Sequence, residues 1–221
     1  MAEQNATGVD EAARAAESER TRAKWDAAAA NFDVMAGYGP EKRWEPFKRE
    51  LLSAMNGGRI LFLAIGTGLD IPFWPSGQTI TGIDISPKMI EAARERAEAY
   101  DGELELLVAD VHDLDFPDDH FDQIFTSCTF CSVPRPVDGL RSLLRVLKPG
   151  GELKMFEHTG SRFFPFSMMM NVMTPLSRRF GPEMNRKTDD NVRAAGFEIE
   201  KIDPVYLDVV KRIHARKPAA G

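Results

Sequence analysis

The stretch Ile60-Leu-Phe-Leu-Ala-Ile-Gly-Thr-Gly68 decides the fold of this 221-residue chain. A run of apolar residues, typical of a buried strand, leads directly into Gly66 and Gly68. Glycines at a strand-to-helix turn allow the backbone to approach a ligand closely. Sixteen residues after Gly68, Asp84 closes the next apolar run, where a carboxylate can accept hydrogen bonds from both hydroxyls of a ribose. The stretch therefore predicts a nucleoside site in a doubly wound α/β sheet.

Strand and helix patterns alternate after this point, which predicts a parallel sheet with right-handed crossovers. The predicted strands are 59–65, 79–84, 104–109, 121–127, 152–157, 198–204 and 206–215, and the predicted helices are 10–30, 42–55, 87–100, 136–147 and 188–195. No helix separates the last two strands, so that pair should be antiparallel. We predict a seven-stranded, mostly parallel, Rossmann-like α/β fold, with an N-terminal helical cap over 1–56 and the nucleoside-binding domain over 57–217.

Composition and charge limit the possible functions. The chain is 43% hydrophobic and 28% charged, as ordinary globular proteins are. Its net charge of −6 argues against a general nucleic-acid binder. We see no secretory signal and no run of the ~18–20 apolar residues that cross a bilayer, so we expect a cytoplasmic protein. Cys128 and Cys131 lack a second cysteine pair, which predicts reduced thiols and no metal site.

Ligands of doubly wound sheets bind beyond the carboxyl ends of the strands, so residues at those ends are the candidates. Asp110 could accept a hydrogen bond from an adenine amino group, with Val111 packed on the ring, or it could cap a turn. Met89 could cover the ribose or adenine, or it could belong to the core. Ile71 replaces the third glycine of the dinucleotide fingerprint, which disfavours a nicotinamide-dependent dehydrogenase.

An unusual segment separates the predicted fifth and sixth strands, at residues 160–187. It carries five basic residues and one acidic residue within a chain of net charge −6. Its large apolar residues are predicted to share one helical face. These are Phe166, Met169, Met170, Met173 and Phe180. Methionines and aromatics beside arginines suit an apolar surface that meets anionic lipid headgroups, although a helix packed on the core is the alternative.

These motifs together resemble the class I S-adenosylmethionine-dependent methyltransferases, over roughly residues 31–217. The matching segments are Gly66-Thr67-Gly68, Gly82–Met89, Ala109-Asp110 and Arg145–Gly151. The resemblance implies S-adenosyl-L-methionine as the cofactor. It places these residues around the cofactor: Ala64, Gly66, Gly68, Asp84, Ile85, Met89, Asp110, Val111 and Ser127. One departure is Phe62, which stands where the family usually has an acidic residue.

Within that superfamily, the segments Gly68–Pro75, Cys128–Pro134 and Phe156–His158 resemble bacterial phosphatidylethanolamine N-methyltransferases. That resemblance implies transfer of methyl groups to the ethanolamine headgroup, on the way to phosphatidylcholine. A free alkyl ammonium has a pKa of about 10, so its proton must be removed first. The candidate residues are Tyr38 and His158 for holding or deprotonating the amine, Phe130 for a cation–π contact, and Arg178 and Arg179 for the lipid phosphate.

Three alternatives stay open. Asn31-Phe32-Asp33 resembles the entry motif of the ubiquinone/menaquinone C-methyltransferases, so the acceptor could be a quinone precursor, or else a small thiol. The third alternative is a subunit that binds the cofactor without catalysing a reaction, because Phe62 replaces the usual acidic residue. The lipid reading implies a phospholipid substrate and peripheral binding at the anionic inner face of the membrane, without a metal or a nucleic acid. The oligomeric state is open, with a monomer as the working expectation.

Overall fold

The computed structural model describes residues 2–34, 41–178 and 182–219. Seven strands form one sheet in the order β3-β2-β1-β4-β5-β7-β6. Their bounds are β1 Arg59–Leu63, β2 Thr79–Asp84, β3 Glu103–Val108, β4 Phe121–Ser127, β5 Leu147–His158, β6 Glu198–Tyr206 and β7 Val210–Arg216. The predicted seven-stranded fold is confirmed.

Strands β1 to β5 are parallel to one another, and β7 runs antiparallel to both β5 and β6. The parallel strands bring their carboxyl ends to one edge, at Leu63, Asp84, Val108, Ser127 and His158. Strand β5 begins five residues earlier than predicted, at Leu147, because Leu147 pairs with Phe121 before a register shift. The sheet order reverses between β1 and β4, which is where a doubly wound sheet binds its ligand.

Six α-helices flank the sheet in the described part of the chain: α1 Ala2–Ala28, α2 Glu41–Leu52, α3 Pro87–Glu98, α4 Pro136–Val146, α5 Phe166–Ser177 and α6 Thr188–Ala195. Helix α3 begins as the sequence predicts, with Pro87 in its first turn and Ser86 as N-cap. The Ser86 hydroxyl accepts a hydrogen bond from Met89 N at 3.1 Å. Helix α1 begins earlier than predicted, at Ala2.

The core lies on both faces of the sheet. On β1, Leu61 and Leu63 pack towards α4 and α6, whereas Ile60 and Phe62 pack on the opposite face. Phe62 is 1% exposed and its ring lies 4.8 Å from that of Trp74. Phe62 is therefore a core residue here. The division at residue 56 stays a prediction, but Leu52 and Met55, which precede the boundary, pack in the same cluster as Ile60 and Phe62.

Candidate functional site

The turn after β1 has an open backbone where the sequence predicts a ligand. Ala64, Gly66 and Gly68 have φ angles of 56°, 57° and 81°, in the left-handed region. A Cβ on Gly68 would lie 2.8 Å from Ile71 Cδ1, so glycine permits close packing there. A Cβ on Gly66 would meet only the Phe32 ring, at 3.8 Å. The backbone at Gly66 is therefore open to close approach.

Asp84 ends β2 beside this turn, as predicted. Its carboxylate accepts hydrogen bonds from Gly66 N and Ser86 N, both at 2.9 Å. Burial raises the pKa of Asp84, against the lowering effect of these backbone donors. A carboxylate has about four acceptor positions, so these bonds leave acceptor capacity for a hydroxyl donor. Asp84 is thus held rigidly against the glycine turn and can still bind a diol.

Asp110 and Val111, which follow β3, make contacts other than the predicted ones. Asp110 Oδ1 accepts from His112 N at 2.9 Å and lies 2.7 Å from His112 Nδ1. Burial alone would raise its pKa, but hydrogen bonds from His112 and Ser18 lower the pKa of Asp110 to about 2. Asp110 therefore caps its turn, which was the alternative reading. Val111 packs in the core, so the adenine-stacking role predicted for it has no support in this conformation.

Two further predicted cofactor residues lie in or near helix α3. The side chain of Met89 is 1% exposed, which agrees with its alternative as a core methionine. Ile85 follows Asp84 and is half-buried. A contact of either residue with the cofactor stays a prediction.

Ser127, at the end of β4, carries a polar atom without a partner. Its Oγ is buried and has no hydrogen-bond partner among the described residues. Buried hydroxyls are normally hydrogen-bonded, so an unpaired one at the ligand-binding edge of the sheet indicates that a bound group satisfies it. Directly after Ser127, the left-handed φ of 54° at Cys128 turns the chain away from the strand.

Glu157 holds this turn in place. The carboxylate of this fully buried residue accepts from Thr126 Oγ1 at 2.7 Å, Thr129 N at 3.2 Å and Phe130 N at 3.0 Å. Burial raises the pKa of Glu157 to about 7, although the three donors oppose the rise. Glu157 therefore positions the turn behind Ser127 and does not itself face a substrate.

His158 and Phe130 differ in their exposure at the edge of the sheet. His158 ends β5 and is half-buried, and burial lowers its pKa, so its imidazole is neutral at pH 7 and can accept a proton. Phe130 is 0% exposed and packs in the core. The cation–π contact predicted at Phe130 has no support in this structure, because the ring is buried in the core.

Of the three remaining predicted substrate residues, the structure describes only Arg178, and the phosphate site stays a prediction. Tyr38 and Arg179 lie outside the described residues. Arg178 forms an ion pair with Glu183, with Nε 2.8 Å from Oε1. This ion pair partly neutralises the charge that the sequence assigned to a lipid phosphate. No group of three or more metal-ligating side chains occurs in residues 2–34, 41–178 and 182–219.

Helix α1 lies across the carboxyl edge of the sheet. Asp26 Oδ1 accepts from Ser86 Oγ at 2.5 Å, next to Asp84, and Ser18 bonds Asp110. Arg135, which precedes α4, is paired with two acidic residues of α1. Its Nε and Nη1 lie 2.8 Å from Glu17 Oε2 and 2.7 Å from Asp10 Oδ1. Helix α1 is therefore tied to the loops after three strands.

A second set of hydrogen bonds connects the chain after α1 to the glycine turn. Asp33 accepts from Thr67 Oγ1 at 2.5 Å and from Arg96 Nη2 at 2.6 Å. Arg96 also donates to Thr67 O at 2.7 Å. Sequence reasoning noted Asn31-Phe32-Asp33 but assigned no contact to it, since pairings across more than 30 residues leave no local signal.

Comparisons with known proteins agree with this geometry. Residues 61–155 match the family described as methyltransferase domain. A solved S-adenosylmethionine-dependent methyltransferase from Mesorhizobium loti superposes with a TM-score of 0.59 at 20% identity, over 77% of this chain and 96% of that one. The [4+2]-cyclase SpnF superposes with a TM-score of 0.64 at 21% identity, over 80% of this chain and 81% of that one. These likenesses show the fold, which by itself does not fix the reaction.

Relatives with similar sequences show which family the chain belongs to. A protein of Geotalea daltonii is 34% identical over 157 residues, which are 67% of this chain and 67% of the relative. The chain belongs to the class I S-adenosylmethionine-dependent methyltransferases, and its cofactor is S-adenosyl-L-methionine. The Geotalea relative is named ubiquinone/menaquinone biosynthesis C-methyltransferase UbiE. A relative of the same name from Azotobacter vinelandii is 39% identical over 132 residues, which are 57% of this chain and 51% of the relative.

The residues at the sheet edge fit this cofactor. Asp84 has acceptor positions left for a ribose diol, the backbone at Gly66 is open, and the buried hydroxyl of Ser127 has no partner among the described residues. Phe62 has no carboxylate for the acidic contact usual in the family, and its ring packs in the core. Strand β1 therefore carries no carboxylate at the position where the family usually has one.

Proposed function

We propose that this protein transfers the methyl group of S-adenosyl-L-methionine to a carbon atom of a quinone precursor. The observation that carries the proposal is the sequence similarity to C-methyltransferases of ubiquinone/menaquinone biosynthesis, at 34% identity over two thirds of both chains. This acceptor is the alternative that the sequence left open. The relatives favour it over the ethanolamine headgroup that the closest motif resemblance implied.

The geometry supports the chemistry as follows. The bound cofactor supplies an electrophilic methyl group on a sulfonium. Asp84 and the Gly66 backbone are placed to orient its ribose, and Ser127 Oγ offers a hydrogen bond on the β4 side. Much of such catalysis is positioning, which can be worth an effective molarity of ~10⁵ M or more. Helix α1 lies over the same edge, where Asp26 accepts from Ser86 and Asp10 pairs with Arg135.

His158 is the candidate general base. An aromatic carbon becomes a nucleophile when a neighbouring ring hydroxyl loses its proton. His158 is neutral because burial lowers its pKa, and it stands at the end of β5, next to the β4 end that carries Ser127. Glu157 is excluded from this role, since its carboxylate is fully buried and holds three donors. Tyr38 stays a candidate from the sequence.

The test is a competition between acceptors. Purified protein with methyl-labelled cofactor is given a mixture of an unmethylated quinone precursor, phosphatidylethanolamine and a small alkyl thiol. Mass spectrometry of the products then identifies the labelled species. We expect label on a ring carbon of the quinone precursor. Label on the ethanolamine nitrogen alone would reinstate the phospholipid reading, and label on the thiol alone would make this an S-methyltransferase.

A further inference from the structure

The segment that follows β5 exposes most of its large apolar side chains. Three phenylalanines, three methionines, a valine and a leucine are between 43% and 78% exposed: Phe163, Phe164, Phe166, Met168, Met169, Val172, Met173 and Leu176. We call these eight residues the outward apolar face. They amount to several hundred Å², at or above the largest apolar patch of a typical soluble monomer. An exposed apolar surface of this size indicates a site that binds a partner or a membrane.

Helix α5 is firmly held with its apolar side outward. Only Met170 and Thr174, at 5% and 3% exposure, are buried along it. Met170 Sδ accepts from Ser161 N at 3.2 Å, and Asn185 Nδ2 donates to Asn171 Oδ1 at 2.9 Å. The sequence pattern had grouped Met169, Met170 and Met173 on one face. The structure buries Met170 alone of these three.

The shape of this face points to a fluid partner. At about 100° per residue, the exposed apolar positions of α5 from Phe166 to Leu176 cover an arc of about 160° on the side opposite Met170. A flat protein surface could contact only part of such a convex ridge, whereas an acyl layer can surround it. Flexible methionine side chains suit a surface whose contacts change continuously.

The charges beside the face fit a bilayer interface. Residues 161–178 contain no acidic residue, and arginines stand at the two ends, Arg162 and Arg178. Arg162 is paired with Asp189 and Asp190, and Arg178 with Glu183, so both guanidinium charges are partly neutralised. Both side chains remain at least half exposed and can also reach anionic headgroups. Apolar insertion should therefore contribute more to binding than charge.

We propose that the outward apolar face inserts into one leaflet of a lipid bilayer and holds the protein at the membrane surface. In residues 2–34, 41–178 and 182–219, no helix is long and apolar enough to cross a membrane, so the attachment would be peripheral. The segment leaves the sheet directly after His158, which places the bilayer beside the proposed active site. This inference does not depend on which acceptor is methylated.

The test uses the whole protein and vesicles of phosphatidylcholine with or without 30% phosphatidylglycerol. The double variant Phe164→Ser/Val172→Ser removes the two most exposed side chains of the face, at 78% and 75%. The control is Val108→Ser, which replaces a 50% exposed valine on β3. In the sheet order, β3 lies four strands away from β5, from which the segment extends. Thermal shift by S-adenosylhomocysteine in all variants shows that fold and cofactor binding persist.

We expect the wild type and Val108→Ser to sediment with both kinds of vesicle, more strongly with the anionic ones. The double variant should partition at least tenfold more weakly. High salt should weaken wild-type binding only partly, since the two arginines are already paired. A wild type that stays in the supernatant overturns the proposal. So does a double variant that binds like the wild type, or a wild-type dimer that this variant converts to monomer without any vesicle binding.

Discussion

Replacing Glu157 with Gln removes one acceptor from the group that fixes the turn after β4. In the wild type the carboxylate accepts from Thr126 Oγ1, Thr129 N and Phe130 N at 2.7, 3.2 and 3.0 Å. A glutamine amide has one oxygen, so in either orientation its NH₂ group faces a backbone N–H. A buried, unsatisfied N–H costs about 1–3 kcal/mol, and we expect E157Q to lower the free energy of unfolding by that amount at pH 8.

The same variant carries a pH signature. Burial raises the pKa of Glu157 to about 7 from an ordinary 4.5, so the folded state binds this proton more tightly than the unfolded state. The resulting stability is complete below pH 4.5 and is lost as the pH rises to about 7. Between pH 5.5 and 8 the contribution of Glu157 to stability should fall by ~2 kcal/mol, from about 1.5 pH units at ~1.4 kcal/mol each. Glutamine does not titrate, so the difference between wild type and E157Q should be larger at pH 5.5.

Urea unfolding, followed by tryptophan fluorescence at both pH values, measures this difference. Glu152→Gln on the same strand is the matched control. Burial raises the pKa of Glu152, but hydrogen bonds from Lys154 and Gln123 lower it overall, so it stays ionised in both states across this range. Its stability difference should be flat with pH. A flat difference for E157Q as well, or one larger at pH 8, would refute the assignment of a protonated, buried Glu157.

Three further predictions concern the site. Asp84→Ala should weaken S-adenosylhomocysteine binding by roughly 1–3 kcal/mol in calorimetry, because the ribose loses its acceptor; unchanged affinity would remove Asp84 from the site. Arg135→Gln breaks the ion pairs with Asp10 and Glu17 and should speed cofactor dissociation in stopped flow. An unchanged dissociation rate would mean that α1 does not close the site. His158→Asn should lower kcat with little change in cofactor affinity, and an unaltered kcat would mean that another group accepts the proton.

The sheet and the glycine turn could be predicted because their signals are local. Apolar runs of strand length, separated by helices with Ser-Pro and Gly-Gly boundaries, define parallel strands and their order along the chain. Gly66 and Asp84 were found because each lies at the end of such a run, where the fold class itself places the ligand. The antiparallel pairing of β7 followed from the missing helix before it.

The sequence predictions and the structure differ where contacts between residues far apart in the sequence determine the position of a side chain. Phe130 and Val111 follow strand ends, as ligand-facing residues do, but both pack in the same core cluster. The Phe130 backbone N–H donates to the buried Glu157. Asp110 bonds His112 and Ser18 of α1, a pairing between residues more than 90 positions apart. The face of α5 that points outward depends on Met170 packing near Ser161. No local periodicity encodes these choices.

Identifying the methylated product tests the central claim most directly. The wild-type protein is incubated with methyl-labelled S-adenosyl-L-methionine and a total lipid extract that contains unmethylated quinone precursors, and the labelled species is fragmented in a mass spectrometer. We predict a single labelled methyl on a ring carbon of a quinone-class lipid, and its loss in a His158→Asn preparation that still binds S-adenosylhomocysteine. Label confined to phosphatidylethanolamine derivatives, or a protein that transfers no methyl group to any lipid, would contradict the account.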